Sequence, residues 1–419
     1  MILAHGKIYE NKEQDSIIAS LQSDICETLM GQKLNTEDVI NACDRLSKKA
    51  ASGAYDGIAK PLLEYLQISY ETYLDYCKMF SAKELRKRVD TELCGLSERE
   101  VQISEHLFRE RRPLGVLLHI AAGNVDALPA YSVMEGLLAG NINILKLPTG
   151  DSGVSVKLLS ELISECPALK DYIYVFDVPS TEIETIKSLA EISDGVVVWG
   201  GDAAVRAAHQ FISPNTKLIV WGHKLSFAYT MPDCTDAMLE AIASDICKTN
   251  QLLCSSCQGI YVDTDDPEQL QKFGARFFEI LKEANLRHGK APRGMRAKNT
   301  LKLYNDKLEN RYTIFSKDGV SVAVKDDCEL ELSYLFRNVW IKALPREKII
   351  STLKPQKGYL QSCALLARDC VDRETIIEYL KRAGLTRITG PSLSNVLIGE
   401  AHDGTFALKE YSRIVDIYR

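Results

Sequence analysis

The sequence predicts an α/β protein of two domains, and three observations carry that prediction. At 419 residues the chain exceeds one ordinary hydrophobic core. From residue 114 onward, short apolar runs alternate with amphipathic stretches of helical period, the pattern of a parallel sheet covered on both faces. That series closes near Trp221–Ser226, and a second one follows it.

Residues 1 to about 112 are polar and read as mostly helical. They end in Ser97–Arg112, a densely charged run expected to form a solvated helix before Pro113. Strands are expected at Leu114–Ile120, Ile142–Leu147, Tyr172–Val178, Gly195–Trp199 and Lys217–Trp221. Helices separate them at Ala130–Leu138, Ser152–Ser164, Ser180–Ile192 and Asp202–Phe211. The second series places strands at Gly259–Val262, Val320–Val324, Asn338–Ala343 and Ser362–Ala367. Its helices are Thr235–Lys248, Pro267–Leu286 and Asp372–Ala383. Tyr411–Tyr418 alternates in strand fashion after a Gly/Asp turn and is suited to pairing with another subunit.

Composition narrows the class. Apolar and charged fractions of 46% and 26% are those of a globular chain. A formal charge of −6 and a pI of 5.8 argue against nucleic acid or an anionic membrane surface as a general partner, while leaving room for a local basic pocket for phosphate. The most apolar stretch, Leu114–Tyr131, is broken by His119, Asn124, Asp126 and Pro129, so no membrane insertion is expected. The opening apolar run is too short for a secretory signal. Twelve scattered cysteines make no disulfide framework, and a cytoplasmic location is expected.

Asn250-Gln-Leu-Leu-Cys-Ser-Ser-Cys-Gln258 sets Cys254 just past an amphipathic helix, in a polar turn that runs into Gly259–Val262. A thiol held at such a junction is placed as a nucleophile toward carbonyl carbon, or it is a small buried hydrophobe. Cys254 and Cys257 also form a Cys-x-x-Cys pair, but no second pair supplies the other ligands zinc needs, so no metal is assigned. The Gly-x-Gly-x-x-Gly fingerprint and the P-loop are absent. Val196-Val-Val-Trp-Gly-Gly-Asp202 instead carries a strand into a helix through Gly200 and Gly201, where a pyrophosphate can meet the helix start. Lys146 ends another strand and suits a ribose or phosphate contact. His223, near the domain join, is a proton donor or a packed residue.

Taken in order, these segments resemble the aldehyde dehydrogenase superfamily, and within it the LuxC-type acyl-CoA reductases. The resemblance rests on Arg112-Pro-Leu-Gly-Val, Ala122-Gly-Asn-Val-Asp-Ala-Leu-Pro-Ala-Tyr-Ser132 and Gly136–Pro148. It continues through Trp199-Gly-Gly-Asp-Ala-Ala-Val-Arg206, Gly222-His-Lys-Leu-Ser-Phe-Ala228 and Asn250-Gln-Leu-Leu-Cys-Ser-Ser256. His402-Asp-Gly-Thr-Phe406 and Arg413-Ile-Val-Asp-Ile417 extend it to the end of the chain. It implies two Rossmann-like α/β domains plus a C-terminal oligomerisation strand. Residues 1–222 are then a cofactor-binding domain with a helical part at 1–112, residues 223–400 a catalytic domain, and residues 401–419 an oligomerisation segment.

By position, the resemblance makes Cys254 the nucleophile, Asn124 the oxyanion-hole amide and His223 a proton donor. Lys146 becomes the cofactor-ribose lysine, with Gly200 and Gly201 at the start of the pyrophosphate helix. Two departures matter. Val220 stands where hydrolytic relatives carry a water-activating glutamate, which favours reduction of a thioacyl enzyme. Thr149 stands where NAD-preferring relatives often carry glutamate, which favours NADPH, with NADH also usable. The expected reaction is NADPH-dependent reduction of an acyl-CoA or acyl-protein thioester to the aldehyde. A short-chain CoA-acylating aldehyde dehydrogenase is the alternative. Acyl-protein synthetase and acyl-transferase partners, and a homo-oligomer, are further implications of the resemblance.

Overall fold

The computed structural model describes residues 1–31, 33–66, 69–93, 100–121, 127–289, 291–309, 312–367, 370–394 and 399–419. Two compact units divide the chain. The first holds residues 1–59, 74–222 and 397–419; the second holds 60–73 and 223–396.

In chain order the strands are β1 (Ile2–Ala4), β2 (Lys7–Tyr9), β3 (Val101–Gln102), β4 (Leu107–Pro113), β5 (Val116–Ile120), β6 (Ile142–Lys146), β7 (Ile173–Phe176), β8 (Gly195–Gly200) and β9 (Lys217–Gly222). They continue with β10 (Leu225–Thr230), β11 (Cys257–Val262), β12 (Thr313–Lys317), β13 (Val320–Lys325), β14 (Asn338–Ala343), β15 (Leu360–Leu366), β16 (Arg387–Thr389) and β17 (Ser412–Tyr418).

The first unit is built on a seven-stranded sheet of order β2-β1-β7-β6-β5-β8-β9. β5 through β9 are parallel, and the N-terminal hairpin adds antiparallel to β7. Alternate residues feed opposite cores. Leu117, Leu145, Val175 and Val197 face one, while Leu118, Ile144, Tyr174 and Val198 face the other. The second unit repeats the plan in the order β12-β13-β14-β11-β10-β15-β16, with β12 antiparallel at its edge. Its two cores separate Ala228, Ile260 and Ile341 from Phe227, Tyr261 and Trp340. The α/β class expected from the sequence is therefore found, with two parallel-dominated sheets.

Several expectations need correction. Part of Ser97–Arg112 is not a charged helix: Leu107–Pro113 is β4, paired along its full length with β17 in a small antiparallel sheet. Its charges are cross-strand partners, as where Arg109 meets the Asp416 carboxylate at 2.7 and 3.0 Å. β17 exists as expected; it pairs with β4 on one side and forms the edge of its sheet. Ile2–Tyr9 is a hairpin turned by His5 and Gly6 at φ 50° and 72°. Leu225–Thr230, hidden in the domain join, is a fully buried strand central to the second sheet.

Candidate active site

The helix Asp236–Thr249 ends at Asn250, which takes the left-handed conformation (φ 48°, ψ 23°) that asparagine tolerates better than most residues. Gln251 continues it at φ 62°. Directly before β14, three residues in succession, Leu335, Phe336 and Arg337, are also left-handed. Five of the nine non-glycine residues with positive φ among the described residues thus lie in two short turns, and those turns are bonded to each other. The Phe336 N–H donates to the Asn250 carbonyl at 2.9 Å. The Gln251 Oε1 accepts from the backbone N–H groups of Arg337 and Asn338 at 2.9 and 3.1 Å. The Gln251 Nε2 donates to the carbonyls of Cys257 (3.0 Å) and Asn338 (3.3 Å). Each such residue costs roughly 1–3 kcal/mol unless its surroundings over-determine it, and strain of this kind collects at functional sites.

Arg337 locks the arrangement from beneath. It is fully buried and donates to the Asn250 Oδ1 at 3.2 Å, the Cys247 carbonyl at 3.3 Å, and the Asn285 Oδ1 and Gly289 carbonyl. All four acceptors are neutral, and burial pulls the guanidinium pKa down from its ordinary value.

Cys254 rides on this turn, exposed, three residues before β11. The Ser226 hydroxyl donates to its carbonyl at 2.8 Å, and the Gln361 Nε2 points at its sulfur from 3.4 Å. Both partners lie near the start of parallel strands, β10 and β15, and the register of β10 shifts against both neighbours around Phe227. Irregularities of this kind re-aim side chains at sites. An amide N–H aimed at sulfur favours the thiolate. His223, exposed, lies two residues before β10 at this same end of the strands, its ring edge-on to Tyr359 at 6.4 Å. Cys257 differs in every respect. It is fully buried, its thiol donates to the Gly259 carbonyl at 3.2 Å, and burial pushes its pKa up to about 12. Among the described residues no group of three or more His, Cys, Asp or Glu side chains gathers as a metal site, and no helix is long and apolar enough to cross a membrane.

The remaining predicted residues belong to the first unit. In its sheet the connections run one way from β5 through β6 to β7 and the other way through β8 to β9, so a switch point opens at the carboxyl ends of β5 and β8. Asn124, just beyond β5, lies outside the described residues. Gly200 ends β8, and Gly201 caps the ten-residue helix Asp202–Phe211. A Cβ at Gly201 would meet nothing within 4 Å, so the helix start is open to a ligand. At the end of β6 the buried Lys146 donates to the Ser180 hydroxyl at 2.9 Å, and burial lowers its ammonium pKa against the opposing pull of Asp177. Thr149 is exposed three residues on, and Val220 is exposed on β9. An open helix start after β8, with a cation and a hydroxyl after β6 on the other side of β5, fits a nicotinamide dinucleotide. Sequence reasoning missed Gln251, Ser226, Gln361 and Arg337; only Gln251, beside the cysteine in sequence, carried a signal that could have found it.

This combination of two parallel-sheet units defines an aldehyde dehydrogenase-like fold. The NADP-dependent glyceraldehyde-3-phosphate dehydrogenase of Bacillus halodurans C-125, solved with NADP, matches 100% of this chain and 98% of its own at a TM-score of 0.76 and 14% identity. Lactaldehyde dehydrogenase of Escherichia coli matches 98% of this chain and 92% of its own, at 0.72 and 13%. Within that fold the chain belongs to the acyl-CoA reductase (LuxC) family, whose profile matches residues 32–414. Curated relatives include the long-chain acyl-protein thioester reductase of Aliivibrio fischeri, 24% identical over 317 residues, and long-chain acyl-protein thioester reductase 2 of Photobacterium leiognathi, 25% identical over 307. The matches take in 73% and 70% of this chain, but less than two thirds of those relatives, 64% and 62%.

Proposed function

We propose that the chain reduces a long-chain fatty acyl thioester, carried on CoA or on a protein, to the aldehyde with NADPH, through a thioacyl intermediate on Cys254. The observation that carries this reading is the exposed Cys254 thiol, presented on a strained, over-bonded turn with the Gln361 amide aimed at its sulfur. The names of the curated relatives, long-chain acyl-protein thioester reductases, supply the substrate class.

The Cys254 thiolate attacks the thioester carbonyl, and the bond to the donor sulfur breaks, so the donor leaves as a thiolate and takes up a proton to become the thiol. The Asn124 amide and the Cys254 backbone N–H hold the developing oxyanion; losing one such donor costs about 3–4 kcal/mol of barrier. Lys146 orients the cofactor ribose, Thr149 leaves the neighbourhood of a 2′-phosphate uncharged, and Gly200 and Gly201 admit the pyrophosphate. When bound, the dinucleotide supplies a hydride to the thioacyl carbon. The resulting hemithioacetal collapses with cleavage of its C–S bond, His223 being the proposed proton donor to the departing sulfur. Val220 offers no base to water, so the thioacyl enzyme persists for reduction rather than hydrolysing.

Two measurements test this. NADPH absorbance followed with acyl-CoAs from acetyl to palmitoyl is expected to fall, fastest with the long chains. Labelled acyl-CoA is expected to leave an adduct on the wild type and on Cys257→Ala but none on Cys254→Ala. An adduct that survives Cys254→Ala sinks the assignment.

A further inference from the structure

Away from the cysteine turn, the second unit carries a cleft of about 200 Å³ between the helix Arg293–Leu308 and the β12–β13 hairpin. Three cations line it, Arg296, Lys307 and Lys317, against one carboxylate, Asp318. No carboxylate pairs with any of the three among the described residues. Lys307 meets only a neutral hydroxyl, that of Ser316 at 3.1 Å. The Arg296 Nε is buried and finds no acceptor, which native structures rarely leave unexplained. The hairpin is shaped around that arginine: Gly319 is at φ +85°, and a Cβ there would come within 2.6 Å of the Arg296 Cδ. In a chain of net charge −6 such a concentration of unpaired cations runs against the general balance.

We propose that this cleft binds a phosphoryl group, with the Arg296 guanidinium donating to its oxygens and Lys307 and Lys317 compensating its charge. The hydroxyls of Ser316 and Thr300 line the same space and complete a polar cradle. Asn338 lines it as well, and its backbone N–H is the one that donates to the Gln251 Oε1 at 3.1 Å. The bound phosphate is therefore one hydrogen-bonded step from the turn that presents Cys254. Two sources share this chemistry: the phosphates of a CoA thioester, which rests on the function proposed above, and free phosphate, which does not.

Calorimetric titration of the full chain with inorganic phosphate and with adenosine 3′,5′-bisphosphate, the phosphate-bearing end of CoA, tests the site. Both are expected to bind. Arg296→Gln is expected to weaken them about tenfold or more, as losing a charge-assisted hydrogen bond does, and adding Lys317→Gln weakens them further. The substitutions separate this cleft from any nucleotide held on the first unit. Tighter binding of the bisphosphate identifies CoA as the source, and equal binding identifies free phosphate. Lys317→Gln alone, at the exposed end of β12, keeps the test open should Arg296→Gln fail to fold. Failure of both ligands to bind, or affinities indifferent to these substitutions, overturns the proposal. Phosphate binding in a chain that reduces no acyl-CoA leaves the site standing and defeats only the enzymatic reading.

Discussion

At the scale of the residue, two cysteines three positions apart sit in opposite environments, one exposed and one fully buried. With a pKa near 12, Cys257 carries a thiolate fraction on the order of 10⁻⁵ at neutral pH, whereas Cys254 is exposed beside an amide donor. Iodoacetamide at neutral pH is therefore expected to modify Cys254, together with Cys26 and Cys328, the other exposed thiols among the described residues, and to spare Cys257; peptide mass mapping reads the outcome. Labelling of Cys257 in the folded chain would contradict the burial argument. Cofactor choice is a residue-scale matter too. Thr149→Glu would set a carboxylate where a 2′-phosphate is proposed to lie, and like charges at contact distance cost several kcal/mol in a partly screened site. NADPH affinity is expected to drop about tenfold or more while NADH affinity holds, as followed by nucleotide fluorescence. Cys254 was legible in the sequence because its neighbours form a contiguous motif. Ser226 and Gln361 were not, since parallel strands bring them together from 28 and 107 positions away.

At the scale of the element, the strands with continuous apolar runs were legible because burial on both faces leaves no other composition open to them. The densely charged β4 was not, because its strand character comes from pairing with β17, about 300 residues distant, which overrides the local pattern. The polar seat beneath β5 makes a second case. His119 is fully buried, with Nδ1 at 2.6 Å from the Ser132 hydroxyl and Nε2 at 3.0 Å from the Asn143 Oδ1. Gly136 makes the seat possible, since a Cβ there would overlap the Asn143 amide. Burial lowers the His119 pKa from 6.5 to about 4. The unfolded chain then binds a proton more readily than the folded one between those values. Stability is complete above pH 6.5, declines as pH falls, and is lower by about 3 kcal/mol once pH reaches 4. His119→Gln should flatten that slope in urea titrations run across the window. A slope that persists would assign it to other groups. The strained turns add a sharper element-scale expectation. Arg337→Met removes the donors of three buried acceptors and of the Gly289 carbonyl, so it should cost about 2–4 kcal/mol and slow alkylation of Cys254 along with it.

At the scale of the whole molecule, each unit is stabilised by its own pair of buried clusters, one on either face of its own sheet. Independent cores make single-step unfolding the wrong expectation, and two calorimetric transitions should be resolved. Ligand linkage then assigns them. A ligand that binds only the folded first unit stabilises that unit by RT ln(1 + [L]/Kd), about 2.7 kcal/mol at a hundredfold excess over Kd, and leaves the other transition where it was. NADPH, proposed to rest on Lys146, Gly200 and Gly201, should therefore move one transition upward. The same addition to Gly201→Val should move neither, because a branched side chain would fill the open start of the helix Asp202–Phe211. Inorganic phosphate, proposed to bind between the Arg293–Leu308 helix and its hairpin, should move the other. Should both ligands shift the same transition, one of the two sites has been placed on the wrong unit, and Arg296→Gln identifies which, since it abolishes only the shift that depends on the second.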